Sequence, residues 1–116
     1  PMAHDPRIRI YVYKPDYIYR YIGHYEFQSH IRFEPGETIR TISMGDTTGW
    51  ELVPSGNRLF LKPRNVRAKT NMTLITNRRL YQFELDARKA ESIRDPNLII
   101  EARFEYYDGL AGDADH

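Results

Sequence analysis

The sequence predicts an all-β fold, an antiparallel β-sandwich of about eight or nine short strands. Two observations carry that prediction. Between Glu51 and Leu85, apolar runs at Trp50–Val53 and Leu59–Lys62 flank Pro54-Ser55-Gly56-Asn57, and runs at Met72–Ile75 and Arg79–Leu85 flank Thr76-Asn77-Arg78. Strand, turn and strand, twice over, is hairpin grammar. Outside this stretch the apolar residues alternate with polar ones, at the period of a strand with one wet face, and no long helical pattern interrupts them.

In chain order, Arg7–Tyr13 places Ile8, Ile10 and Val12 on one side and Arg9, Tyr11 and Tyr13 on the other. Lys14-Pro15-Asp16 interrupts, and Tyr17–Ile22 resumes with β-branched and aromatic residues up to Gly23. His24–Glu34 reads as one strand, with Tyr25, Phe27, Ser29, Ile31 and Phe33 opposite Glu26, Gln28, His30, Arg32 and Glu34. Pro35-Gly36 suits the centre of a type II turn. Thr38–Ser43 is a strand whose Ile39 and Ile42 stand three apart, which a bulge reconciles. Met44–Gly49 is a loop, and the polar link Arg64–Thr70 separates the two hairpins. Asp86–Asn97 has helical composition without an apolar stripe, so it is read as a loop holding at most a helical turn. Leu98–Tyr107 is the last strand, with Leu98, Ile100, Ala102, Phe104 and Tyr106 inward.

The 116 residues make one domain, set at 7–107. Residues 1–6 read as an N-terminal tail or a vector remnant, and 108–116 as the start of a linker or tail. There is no cysteine, hence no disulfide framework and no thiolate metal site. No run reaches the ~20 apolar residues of a membrane-spanning helix. A net charge of +1 gives no global field for nucleic acid or an anionic membrane.

The charge is uneven, however. No acidic residue lies between Glu51 and Glu84, a stretch that holds Arg58, Lys62, Arg64, Arg67, Lys69, Arg78 and Arg79. Arg64, Arg67 and Lys69 on one loop and Arg78 and Arg79 at a hairpin tip would form one patch if the loops shared an end of the sandwich. Such a patch suits an acidic protein partner better than RNA, because no RNA-binding signature accompanies it; the plainer reading is solvated loop charge.

Six of the nine tyrosines fall between Tyr11 and Tyr25, and Tyr17, Tyr19 and Tyr21 share one side of a strand. Three roles are open to them: cross-strand aromatic packing, a protein interface, or a surface with Lys14 and Arg20 that stacks on sugars or bases. His24 and His30, six apart on one extended strand, would be about 20 Å apart, too far for one metal ion. No nucleophile elbow or phosphate loop is present. Asp46 beside glycines is a turn residue, and the lone Trp50, with Leu52 on its face, is a core residue. No catalytic residue, metal or cofactor is expected.

Five blocks, in order, resemble the N-terminal domain of the TrbG/CagX family, the VirB-type outer-membrane core-complex subunit of type IV secretion and conjugation systems. They are Asp5-Pro6-Arg7-Ile8-Arg9; Phe33-Glu34-Pro35-Gly36-Glu37-Thr38-Ile39; Ile42-Ser43-Met44-Gly45-Asp46 followed by Trp50; Leu59-Phe60-Leu61-Lys62-Pro63; and the hairpin Thr70–Tyr81. The resemblance implies a periplasmic, non-enzymatic scaffold associated with the outer-membrane core complex. It implies ring assembly with neighbouring copies and a transenvelope VirB-type subunit, in support of protein or DNA translocation. It also implies contact with an outer-membrane lipoprotein through a C-terminal domain that these residues do not match, and no direct nucleic acid or membrane span. The tyrosine content of Tyr11–Tyr25 departs from the family motifs. The alternative function is a free-standing carbohydrate- or peptide-binding β module using that tyrosine-rich face.

Overall fold

A computed structural model describes residues 4–107. Among these described residues there are nine strands: β1 (Ile8–Val12), β2 (Ile18–His24), β3 (Ser29–Arg32), β4 (Ile39–Met44), β5 (Trp50–Ser55), β6 (Arg58–Pro63), β7 (Lys69–Thr76), β8 (Leu80–Arg88) and β9 (Glu101–Glu105). They form two sheets, β1-β9-β3-β6-β5 and β2-β8-β7-β4. The first is called sheet A and the second sheet B. The linker expected at 108–116 lies outside the described residues.

The two hairpins of the sequence are β5–β6 and β7–β8, both antiparallel. The other connections switch sheets, and this produces the main departure from expectation. The sheets are mixed rather than antiparallel throughout. β9 inserts between β1 and β3 and runs parallel to both, and β2 runs parallel to β8. Alternation specifies which face of a strand is wet and says nothing of strand direction.

The single strand expected over His24–Glu34 is split. The chain leaves sheet B at His24, turns through Glu26 at φ 77, and enters sheet A at Ser29. Phe27 N–H closes the turn on His24 C=O at 3.0 Å. The Pro35-Gly36 turn forms as expected: Gly36 has φ 87, and Glu37 N–H donates to Glu34 C=O at 2.9 Å. The register shift between Ile39 and Thr41 is the bulge that the Ile39/Ile42 spacing requires. β8 extends to Arg88, so the segment expected as loop from Asp86 begins as strand.

The core lies between the sheets. Ile31, Leu59, Leu61, Ala102 and Phe104 come from sheet A, and Tyr21, Met72, Leu74, Tyr81, Phe83 and Leu85 from sheet B. Its centre is aromatic: Phe104 meets Tyr19 at 4.9 Å and Tyr81 at 5.1 Å, both edge-on. Trp50 is buried, as its sequence context predicts, with its ring against Gly23.

Candidate interaction surfaces

The tyrosine stripe turns inward. Along β2, Tyr19 and Tyr21 face sheet A and are 4% and 0% exposed, while Ile18, Arg20 and Ile22 face away. Burying two tyrosine rings removes more apolar surface than burying two isoleucines, provided the hydroxyls find partners. They do. Tyr21 Oη and Ser29 Oγ lie 2.5 Å apart, and Tyr19 Oη accepts from Lys14 N–H at 2.8 Å. Neither side chain is placed to meet a partner, which corrects the expected tyrosine interface and leaves Tyr17, 53% exposed, as its accessible member. β1 behaves alike: Tyr11 and Tyr13 pack on the core while Ile10 and Val12 are exposed.

The two basic loops do not form one patch. The loop 64–68 precedes β7 and the tip 77–79 follows it, so the eight residues of β7 hold them about 25 Å apart. The tip arginines are structural. Arg79 donates to Glu37 Oε1 at 2.8 Å and Glu34 Oε1 at 2.6 Å, and its guanidinium lies 3.8 Å from the centre of the Tyr106 ring. Arg78 bridges Glu34 and the Pro35 carbonyl.

Arg67 and Lys69 instead join two arginines that the sequence reading left aside. Lys69 and Ile22 flank Asp86 in register across β7, β8 and β2. Arg20 approaches Asp86 at 3.3 Å and Arg88 at 3.5 Å. Arg20, Arg67, Lys69 and Arg88 thus surround one carboxylate in a shallow depression of ≈ 510 Å³ on the outer face of sheet B. Arg64 is exposed beside it on the same loop. Farther along the same face stand exposed Ile18 and the cross-strand pair Ile75–Leu80. The face therefore grades from cationic to apolar, a combination suited to an acidic, amphipathic protein surface.

The outer face of sheet A carries a second cluster. Arg58, Arg32 and Arg103 align in register across β6, β3 and β9. Glu101, one row away, takes an ion pair from each of them, and its Oε1 lies 2.9 Å from His30 Nε2, which also lies 2.8 Å from Arg58 Nη1. Burial opposes the charge of Glu101, but the hydrogen bonds from Arg103 and His30 outweigh it and hold the pKa below the ordinary value. No local spacing links these arginines, so only the pairing of three separate strands could reveal the row. Among the described residues, no group of three or more His, Cys, Asp or Glu could hold a metal ion. Among the described residues, no helix is long and apolar enough to cross a membrane.

Comparison with known proteins gives these surfaces a context. Residues 6–113 match the model of the CagX family, described as conjugal transfer protein. The chain is 31% identical over 107 residues to the type IV secretion system protein virB9 of Bartonella henselae, covering 88% of this chain and 37% of that protein. It is 26% identical over 124 residues to the type IV secretion system protein PtlF of Bordetella pertussis, covering 91% of this chain and 45% of that protein. A virB9 of Brucella abortus is 33% identical over 73 residues, covering 49% of this chain and 25% of that protein. The chain thus spans less than half the length of these relatives. With the match running through all nine strands, the chain belongs to the CagX family of conjugal transfer proteins.

Proposed function

We propose that this chain is a structural, non-enzymatic domain of a type IV secretion system core complex, lying in the periplasm beneath the outer membrane. It supports a ring made with neighbouring copies and a transenvelope subunit, and contact with the outer-membrane lipoprotein falls to another part of the protein. The observation that carries this reading is the family match over residues 6–113, together with the likeness to type IV secretion system proteins of Bartonella henselae and Bordetella pertussis. The geometry supports it. The exposed charged and apolar residues of sheet B form a broad face, while two of the three tyrosines that a sugar-binding module would use, Tyr19 and Tyr21, are core.

The cationic end of sheet B is the assembly contact in this reading. Calorimetric titration of this chain with the periplasmic part of its cognate transenvelope subunit tests it. Binding is expected to weaken with added salt and to fall at least about tenfold when Arg64, Arg67 and Lys69 are reversed to glutamate. Binding insensitive to both would move the contact off this face, and failure of the full-length protein to bind would overturn the assembly reading itself.

A further inference from the structure

Each sheet has two edges, and three of the four carry devices that hinder another strand from pairing. On β5, Arg64 N–H bonds to Gly49 C=O, which sets the alternation that turns the amide position of Pro54 to the free side, where proline has no donor. β4 is bulged at Ile39/Thr41. On β2 the outward carbonyls of Arg20 and His24 already accept from Tyr11 Oη and Phe27 N–H.

Among the described residues, β1 has no such device. Ile100 N–H bonds to Arg7 C=O, and Tyr13 N–H bonds to Glu105 C=O, so the odd-numbered residues turn their amide groups toward β9. Backbone groups alternate along a strand. Ile10 and Val12 therefore aim both N–H and C=O at the open edge, together with the carbonyl of Ile8. Their side chains are 38% and 41% exposed, and the segment contains no proline or bulge. Between this edge and β2 lies a groove of ≈ 400 Å³, where Tyr11 and Tyr17 accompany Lys14 and Arg20 and, among the described residues, no carboxylate lines the wall.

We propose that β1 is a strand-addition site for an extended segment of another protein in which apolar and acidic residues alternate. Its backbone pairs with Ile10 and Val12. Its apolar side chains lie beside theirs on the outer face of sheet A, and its carboxylates turn into the groove toward Lys14 and Arg20. A second copy fits poorly. Pairing β1 with another β1 would turn Arg9 of the newcomer toward the same two cations. This site shares only Arg20, which also pairs with Asp86 at 3.3 Å, with the cationic end of sheet B, and it does not depend on the assembly reading.

The test is an amide-resolved NMR titration of the chain with a short blocked peptide of alternating valine and glutamate, against its valine–lysine counterpart. The acidic peptide is expected to bind, to shift the Ile10 and Val12 amides most, and to slow their hydrogen exchange at least about tenfold. Ile10→Pro removes an outward N–H without breaking a bond to β9, and should weaken binding at least about tenfold. Should that variant misfold, Ile10→Lys with Val12→Lys gives the same reading. Lys14→Glu with Arg20→Glu should transfer preference to the lysine peptide. Absence of binding, shifts centred on Arg67 and Lys69, binding unchanged in the edge variants, or self-association through β1 in place of peptide binding would each overturn the proposal.

Discussion

Glu37 has no surface in contact with solvent, yet it is a carboxylate. It keeps its place because each oxygen is occupied. Oε1 accepts from Arg79 at 2.8 Å, and Oε2 accepts from Thr76 Oγ1 at 2.6 Å and Tyr81 Oη at 2.9 Å. Desolvation, then the neighbouring Tyr106 hydroxyl and Glu37, push the Tyr81 hydroxyl far above its ordinary pKa, so it remains a donor at any working pH. Glu37→Ala would strand the Arg79 guanidinium, itself largely buried, and is expected to cost about 3–5 kcal/mol in urea unfolding. A loss below about 1 kcal/mol would show that water replaces the carboxylate. The sequence exposed the turn around Glu37 through Pro35-Gly36 but not the buried charge. Glu37 and Arg79 are 42 positions apart and meet only because β7–β8 brings the hairpin tip against the turn. The same reasoning explains why Arg78 and Arg79 looked like free surface charge in a local reading.

At the scale of elements, features written within a few residues were legible. The β5–β6 and β7–β8 hairpins carry their own turn residues, and the β4 bulge shows in the spacing of Ile39 and Ile42. Features decided between distant strands were not. The inward choice of Tyr19 and Tyr21 over Ile18 and Ile22, the crossing at Glu26 and the parallel insertion of β9 each depend on a partner far along the chain. The β2–β5 contact shows how tight such pairings are. Gly23 lies under the Trp50 ring, and a Cβ there would sit 2.8 Å from Cη2 and Cζ3. Gly23→Ala is therefore expected to destabilise the domain by about 1–3 kcal/mol through overpacking. Trp50→Phe, which removes those two ring atoms, should cost less in the Gly23→Ala background than alone. Additive losses in that double-mutant cycle would mean the strands simply move apart.

Across the whole molecule the small net charge conceals groups whose protonation the fold opposes. His24 is buried, and its Nδ1 has no hydrogen-bond partner among the described residues. Burial lowers its pKa below the ordinary 6.5, against the raising field of Asp95 and alongside the lowering fields of Arg88 and Arg9. The unfolded chain then binds this proton more readily than the native one. The contribution of neutral His24 is complete above about pH 6.5 and is lost as pH falls through the lower native pKa. Glu101 and Asp46 act in a more acidic window. Both have depressed pKa values, Asp46 through hydrogen bonds from Thr48, so their contributions hold above the unfolded carboxylate range and disappear as pH falls through their native values. Thermal unfolding followed from pH 7.5 downward should show a first decline beginning near about pH 6.5 and a second below about pH 4. His24→Phe should erase the first and leave the second. Glu101→Gln should lower stability at neutral pH and shrink the second, because Arg32, Arg58 and Arg103 would face one another without the carboxylate that joins β9 to β3 and β6. If the first decline survives in His24→Phe, another group carries it, and the native imidazole takes up its proton as readily as the unfolded one.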